Sequence, residues 1–489
     1  MRRTKNTTLN PGLLLVAIVG LGILYSCKVD QPLLSDYNQP PEQYPDFITA
    51  NADSSNMALV GWESFFSDPQ LQGLIRKGLE RNQDVARTLA QIEIARASLS
   101  RARMGQLPEF NLRAGAEVQK FGDYTMDGVG NDDTNLSPTV PEDRRIPVPY
   151  QDFILGATFN WEVDIWGRLQ MRKKQALARY LASEEMVNLT KTWLIAEIAS
   201  TYYTIVGLDE EIETLLTNIA FQEQAFELGK SLKNAGQESQ LSIDQFEALM
   251  LNSKGILISK RRELRQAELN LAYLTGDYPE PVQRQSLSEV TMLPEVLELG
   301  LPSDLLRMRP DIRAAEQNLR ANNLEVGIAR TAFFPTFNLY GMAGFNAFEF
   351  SKLFLNPGSA VYQLGGGLVA PVFNRNRIKA SYESAKASQK IALYDYEQTV
   401  LSGYLEVLGL VNDYRTLREE LELKTDEVLV QRRSVDNANT MFKVGYADYL
   451  DVINSQSNSL ASELEYIELK MLQLQRLVSL YRALGGGWQ

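Results

Sequence analysis

The chain has 489 residues, 44% of them hydrophobic and 22% charged, with no histidine, one cysteine and a net charge of −12. Without histidine it lacks the side chain most used for general acid–base catalysis, and one cysteine leaves no zinc or iron–sulfur spacing. An acidic balance argues against a nucleic-acid partner, which would select a basic stripe, and nothing in the residue pattern asks for a cofactor.

Arg2, Arg3 and Lys5 precede a 12-residue apolar run, Leu13 to Leu24. That run is too short to span a bilayer comfortably and suits a signal peptide over 1–26. It ends in Leu24-Tyr25-Ser26-Cys27, which resembles a bacterial lipobox, with Cys27 acylated (palmitate) as the first mature residue. An ordinary secretory signal with an incidental cysteine is the alternative. Residues 27–60 are polar, with prolines at 32, 40, 41 and 45, and read as an acylated extended tether.

Residues 69–105 read as a helix, followed by a period-two segment at about 109–120. There Phe110, Leu112, Ala114, Ala116 and Val118 alternate with Asn111, Arg113, Gly115, Glu117 and Gln119. A second such segment, about 151–163, sets Phe153, Leu155, Ala157, Phe159, Trp161 and Val163 against Ile154, Gly156, Thr158, Asn160 and Glu162. The intervening 120–150 stretch is rich in Asp, Gly and Pro and is expected as an exposed loop. Between Pro149 and Pro279 no proline occurs, and a helical hairpin is expected over about 165–275. Its long arm, 169–229, would measure roughly 90 Å at about 1.5 Å per residue, and Gly236 marks the turn. The order then repeats: a helix at 303–331, strands at about 335–347 and 361–373, and a hairpin over about 375–484 turning at Gly445.

Gly236 and Gly445 are 209 residues apart, as are Gly276 and Gly485. Pro108-Glu109-Phe110-Asn111-Leu112 recurs as Pro335-Thr336-Phe337-Asn338-Leu339 at an offset of 227, so the first copy carries 18 extra residues. The chain thus reads as an internal two-fold repeat, 61–300 and 301–489. Duplication suits a symmetric wall better than a single catalytic pocket.

The expected fold class is an α+β membrane protein with long α-helical hairpins and four transmembrane strands per chain. Strands of this length with two unlike faces fit a membrane barrel. Lipid tolerates no open sheet edge, and four strands are fewer than the smallest barrel of eight, so several chains would have to share one. The alternative is that the strand pairs cap a sandwich or pack on the helices in water.

Several motifs resemble the TolC-like outer-membrane efflux lipoproteins of the NodT type. Trp62, Phe65-Phe66, Asp68-Pro69, Leu71, Leu74-Ile75 and Asn82 resemble that family's opening, and Trp161 to Arg168 its strand-to-helix junction. Leu301 to Leu306, with Arg309-Pro310-Asp311-Ile312 and Ala315-Glu316, resembles its most specific signature. Gly445 with Asp448-Tyr449-Leu450 is similar to its hairpin tip, and Leu484 to Trp488 to its ending. Two departures stand out: Phe373 to Arg377 lacks the glycine usual at the last junction, and Asn454 replaces a frequent aspartate. The resemblance implies a homotrimer with a 12-stranded barrel in outer-membrane lipid and a helical tunnel in the periplasm. It also implies a periplasmic membrane-fusion adaptor and an inner-membrane (RND-type) transporter as partners, and efflux of small molecules such as drugs. A duct for type I protein secretion and a lipid-anchored coiled-coil scaffold without a pore are the alternatives.

No catalytic residue is expected. Arg309, Pro310, Asp311 and Glu316 are read as structural, with Pro310 in the first turn of a helix. Glu162 and Asp164 are read as lumenal or salt-bridged groups at a junction. Asp448, Asp451 and Ser455 fall at i, i+3 and i+7 after the turn, and with Asn454 they are the pore or gate candidates. A solvated polar face is the competing reading. The matching residues in the first copy, Ser239, Ser242 and Phe246, carry no carboxylate, so an unequal mouth is expected.

Overall fold

The structure, a computed structural model, describes residues 40–41, 43–45, 56–290 and 297–488. The signal segment, Cys27 and most of the expected tether lie outside the described residues. In chain order the main elements are α1 (Pro69–Arg81), α2 (Gln83–Met104), β1 (Glu109–Gln119), α3 (Met126–Leu136), β2 (Tyr150–Val163) and α4 (Arg168–Asn234). There follow α5 (Gln240–Thr275), α6 (Pro310–Thr331), β3 (Thr336–Ala347), β4 (Ala360–Val369), α7 (Arg377–Lys443) and α8 (Tyr449–Ala483). Contacts divide these into two compact units, each drawing on both halves of the sequence.

The first unit comprises Arg96–Ala178 and Arg320–Ile391. Its strands form one antiparallel sheet in the order β1-β2-β3-β4. The two expected strand pairs are therefore joined, because β2 pairs with β3 from Phe153↔Ala347 to Val163↔Phe337. The fourth strand is shorter than the expected 361–373. It ends at Val369, just before Pro371, which has no N–H to give a ladder, and Val372 and Phe373 are left 96% and 86% exposed. Thirty residues, 120–149, join β1 to β2, against twelve, 348–359, between β3 and β4. The first connection is no plain loop, since it holds the 11-residue α3, capped by Thr125. Beside the sheet, Val326, Ala329 and Ala385 pack with Tyr382.

The second unit comprises the described parts of Ser35–Ala95, Arg179–Leu319 and Ala392–Gln489. Leu71 and Ile75 of α1 pack with Leu194, Ile198 and Tyr202 of α4, Leu271 and Leu274 of α5, and Leu474 and Val478 of α8. At about 1.5–3 kcal/mol per fully buried large apolar side chain, this cluster is the main source of cohesion there. Each hairpin is held along its length by apolar contacts, such as Leu215 and Ile219 with Leu257, and Ala438 with Val452. Ion pairs also join the arms: Lys254–Glu223, with both partners exposed, contributes little, whereas Arg432 reaches a Glu463 that is mostly buried.

Two single helices expected from the sequence are broken. The 69–105 helix divides at Asn82, whose backbone is extended while its side-chain oxygen accepts from the Asp84 N–H at 2.8 Å. Asn82 Nδ2 donates to the Leu274 carbonyl at 3.0 Å, so the break docks α1 on the end of α5. The 303–331 helix divides at Arg309, leaving a short helix at Leu305–Met308 before α6 starts at Pro310. Arg309 before it is extended, as a residue preceding proline prefers.

Candidate functional site

The register gives the sheet two unlike faces. Phe110 lies opposite Phe159 and Leu112 opposite Ala157, and the row continues through Phe159↔Gly341 to Gly341↔Leu364. Trp161↔Leu339 and Phe337↔Leu368 extend it, so one apolar face crosses all four strands. Phe110, Leu112, Leu364 and Leu368 on it are 68–88% exposed. The other face carries Asn111, Arg113, Glu117, Asp152, Thr158, Asn160 and Asn338. The apolar face is bounded by aromatic rings at both ends: Phe153–Phe350 and Phe345–Phe354 at one, Trp161 and Phe337 at the other. From Phe153 to Trp161 the strand rises roughly 27 Å, or about 21 Å after a tilt of about 40°. That is close to the height of about 25 Å of an outward apolar band between aromatic girdles. The outer edges of β1 and β4 have no partner strand among the described residues.

At the strand-to-helix junction the two carboxylates have separate structural partners. Glu162 is paired with Arg168, whose Nε lies 3.0 Å away. Asp164 accepts from the backbone N–H groups of Leu169 and Gln170 at 3.0 and 2.8 Å, stabilising the positive start of α4. Trp166 donates to the Pro335 carbonyl at 2.6 Å and stacks on Phe334. Gly167 supplies the left-handed backbone of this turn, φ +74°. At the matching second junction Arg375 and Asn376 take positive φ of 52° and 66°, so two non-glycine residues carry the conformation that one glycine carries in the first.

The signature residues converge on the chain's end. Arg309 is only 9% exposed and grips Asp311 through both carboxylate oxygens at 3.1 and 2.7 Å. It also reaches Glu406 at 2.8 Å and the Ala483 carbonyl at 2.7 Å, and Arg482 closes on the same glutamate. Burial opposes the guanidinium charge, but Asp311 and Glu406 outweigh it and hold its pKa above the ordinary value. Glu406 and Arg482 carry no signal in the sequence, being 97 and 173 residues away. Trp488 donates to the Met308 carbonyl at 3.1 Å and lies under the Arg313 guanidinium. Gly485 is required here, because a Cβ would sit 2.6 Å from Met308 backbone atoms. Glu316, on α6, is half-buried. A cavity of about 340 Å³ opens beside this network, lined by Thr190, Trp193 and Pro310 among others.

Gly236 and Gly445 turn the hairpins with φ of +77° and +75°. Asp448 caps α8, accepting from Leu450 and Asp451 N–H at 2.9 and 3.1 Å, and Asp451 returns the contact to the Asp448 N–H at 3.0 Å. Asp448 is thus a cap outside the helix, and Ser455 leans 3.4 Å from Ser434 on α7. Asp448 and Asp451 sit side by side and exposed at the turn, Asn454 and Asn458 are exposed on the following turns, and Ser455 is half-buried. In the first hairpin Ser239 caps α5, and Glu238 accepts from Ser242 at 2.7 Å, so a carboxylate does reach that face.

Long helices joined to a sheet of this kind define the class of TolC-like outer-membrane channels. The family model described as outer membrane efflux protein matches residues 74–277 and 301–486. The chain is 29% identical over 456 residues to the pyoverdine export outer membrane protein OpmQ of Pseudomonas aeruginosa, covering 92% of this chain and 91% of that one. It is likewise 29% identical to the toluene efflux pump outer membrane protein TtgF of Pseudomonas putida, covering 93% and 94%. The solved outer-membrane channel OprN superposes with a TM-score of 0.79 at 27% identity, covering 93% of this chain and 98% of that one. The chain belongs to the outer membrane efflux protein family. It is an outer-membrane exit duct of an efflux pump.

Proposed function

We propose that three copies of this chain close a 12-stranded barrel in the outer membrane, with the long hairpins continuing as a periplasmic tunnel. The observation that carries this is the continuous apolar face of a four-stranded sheet whose outer edges pair with no other strand among the described residues. In lipid such edges must be closed, and further copies of the same chain supply the missing strands. The two-part family match, and α4 and α7 of 67 residues each beginning 209 residues apart, support an internal repeat over 61–300 and 301–489.

The duct is passive. It takes small molecules from a periplasmic adaptor and an inner-membrane (RND-type) transporter and releases them outside. Relatives named for pyoverdine and toluene support small-molecule efflux over protein secretion. Cys27 is the acyl anchor. Arg309, Pro310, Asp311 and Glu316 are structural, fastening α6 to the chain's end. Gly236 and Gly445 form the hairpin tips, and Asp448, Asp451, Asn454 and Ser455 belong to the mouth, where carboxylate rings would favour cations.

Purified protein in planar bilayers is expected to give discrete, ohmic openings without an added energy source. Protein that reaches the outer membrane in oligomeric form yet yields no openings would sink the duct reading.

A further inference from the structure

Both faces of the sheet carry aromatic clusters at the same end, the one away from the junction with the long helices. The cluster of Phe153, Phe345, Phe350 and Phe354 is on the apolar face and fits a lipid-interface girdle. The second cluster has no such explanation. Tyr150 begins β2 opposite Gln119, on the face that carries Asp152, Thr158 and Asn160. Phe121 meets its ring at 6.0 Å and Phe348 at 5.5 Å, in tilted and edge-on geometry. These contacts place Phe121 and Phe348 on the same polar face, although each lies just past the end of its strand. Beneath them the face returns to polar groups: Glu117 opposite Asp152, and Asn346 donating to Asp152 at 2.6 Å. All three rings are half-buried, against one another rather than in a core.

Ile154, Tyr340, Met342 and Val361 also stand on this face, but scattered among its polar groups, whereas Phe121, Tyr150 and Phe348 gather three large rings at one level. A wide pore would have no use for them. Twelve strands spaced about 4.8 Å apart and tilted about 40° leave roughly 24 Å between opposite backbones. Nine rings projecting from that wall at one level would occupy a large share of it.

We propose that Phe121, Tyr150 and Phe348 form an aromatic collar on the lumenal side of the outer mouth, which narrows the exit and limits the size of what passes between duct and exterior. This rests on the barrel reading above. The collar sets a constriction at the end of the sheet away from its junction with the long helices. It admits slender or flexible solutes and resists bulky ones arriving from outside.

The test uses whole cells carrying the full chain with Thr158→Cys, a lumenal position below the collar, and the chain without that cysteine as background. Two probes are compared: ethylammonium methanethiosulfonate, which is small, and a polymer-linked maleimide, which is bulky. Replacing Tyr150 and Phe348 by alanine should raise the bulky probe's labelling rate about tenfold and leave the small probe's rate unchanged. Equal rates for the bulky probe with and without the collar overturn the proposal. If the small probe fails to label Thr158→Cys in either background, the lumenal face is misassigned and the barrel reading itself fails. Should the double alanine variant not assemble, Phe348→Leu carries the same comparison with a change of about threefold expected, and no change overturns the collar.

Discussion

Asn376 stands 209 residues after Gly167, and both hold left-handed backbone at the start of a 67-residue helix. Glycine adopts that conformation freely, whereas other residues carry a cost of about 1–2 kcal/mol, with asparagine among the least penalised. Asn376→Gly is therefore expected to leave the protein as stable or more stable, by up to about 1 kcal/mol. Asn376→Val should destabilise it by about 1–3 kcal/mol, since a β-branched side chain tolerates the conformation poorly. Thermal unfolding of the detergent-solubilised oligomer measures both. A valine variant that melts like the parent would mean that this turn bears no strain. Arg309 illustrates the opposite device. Its charge is buried, and Asp311, Glu406 and the Ala483 carbonyl each take up part of it, so specificity of fit matters more there than net attraction.

At the scale of the element, the sheet offers a test of its faces. A charge at the lipid face of a barrel costs about 2–4 kcal/mol near the midplane. Leu155→Arg is therefore expected to impair insertion, whereas Thr158→Arg on the opposite face should insert and change conductance. Outer-membrane yield and bilayer recording separate the two, and equal effects would mean that the faces are misassigned. The hairpin tip offers a second test. Asparagine caps helices as well as aspartate does, so Asp448→Asn with Asp451→Asn removes the charge while keeping most of the cap. Cation preference should fall with assembly intact. Unchanged ion selectivity would assign these residues to a capping box on a solvated face.

Period-two alternation made the strands legible because one face is apolar and the other mostly polar, and proline-free runs did the same for the long helices. What the sequence hid is mostly side-chain geometry. The break at Asn82 depends on a carbonyl 192 residues away, and Asp448 looks like a helical-face residue until its cap geometry is seen. The helix α3 inside the first connection was masked by its glycines and aspartates, which favour turns. β4 was overextended because alternation continued past the point where Pro371 ends the ladder.

For the whole molecule, closure is the central matter. Among the described residues one chain supplies four strands with two edges that pair with no strand, a state that lipid does not tolerate, and the proposed barrel therefore requires an assembly. Acyl chains at Cys27 would add an anchor without supplying strands, and assembly should not depend on them. The most direct test is the stoichiometry of the oligomer extracted from outer membranes, read by native mass spectrometry. Three chains are predicted, each of the 55.1 kDa translated mass less the signal segment 1–26 and plus its acyl groups, giving twelve strands and one closed barrel. A monomer, or a dimer that conducts in bilayers, would contradict the account.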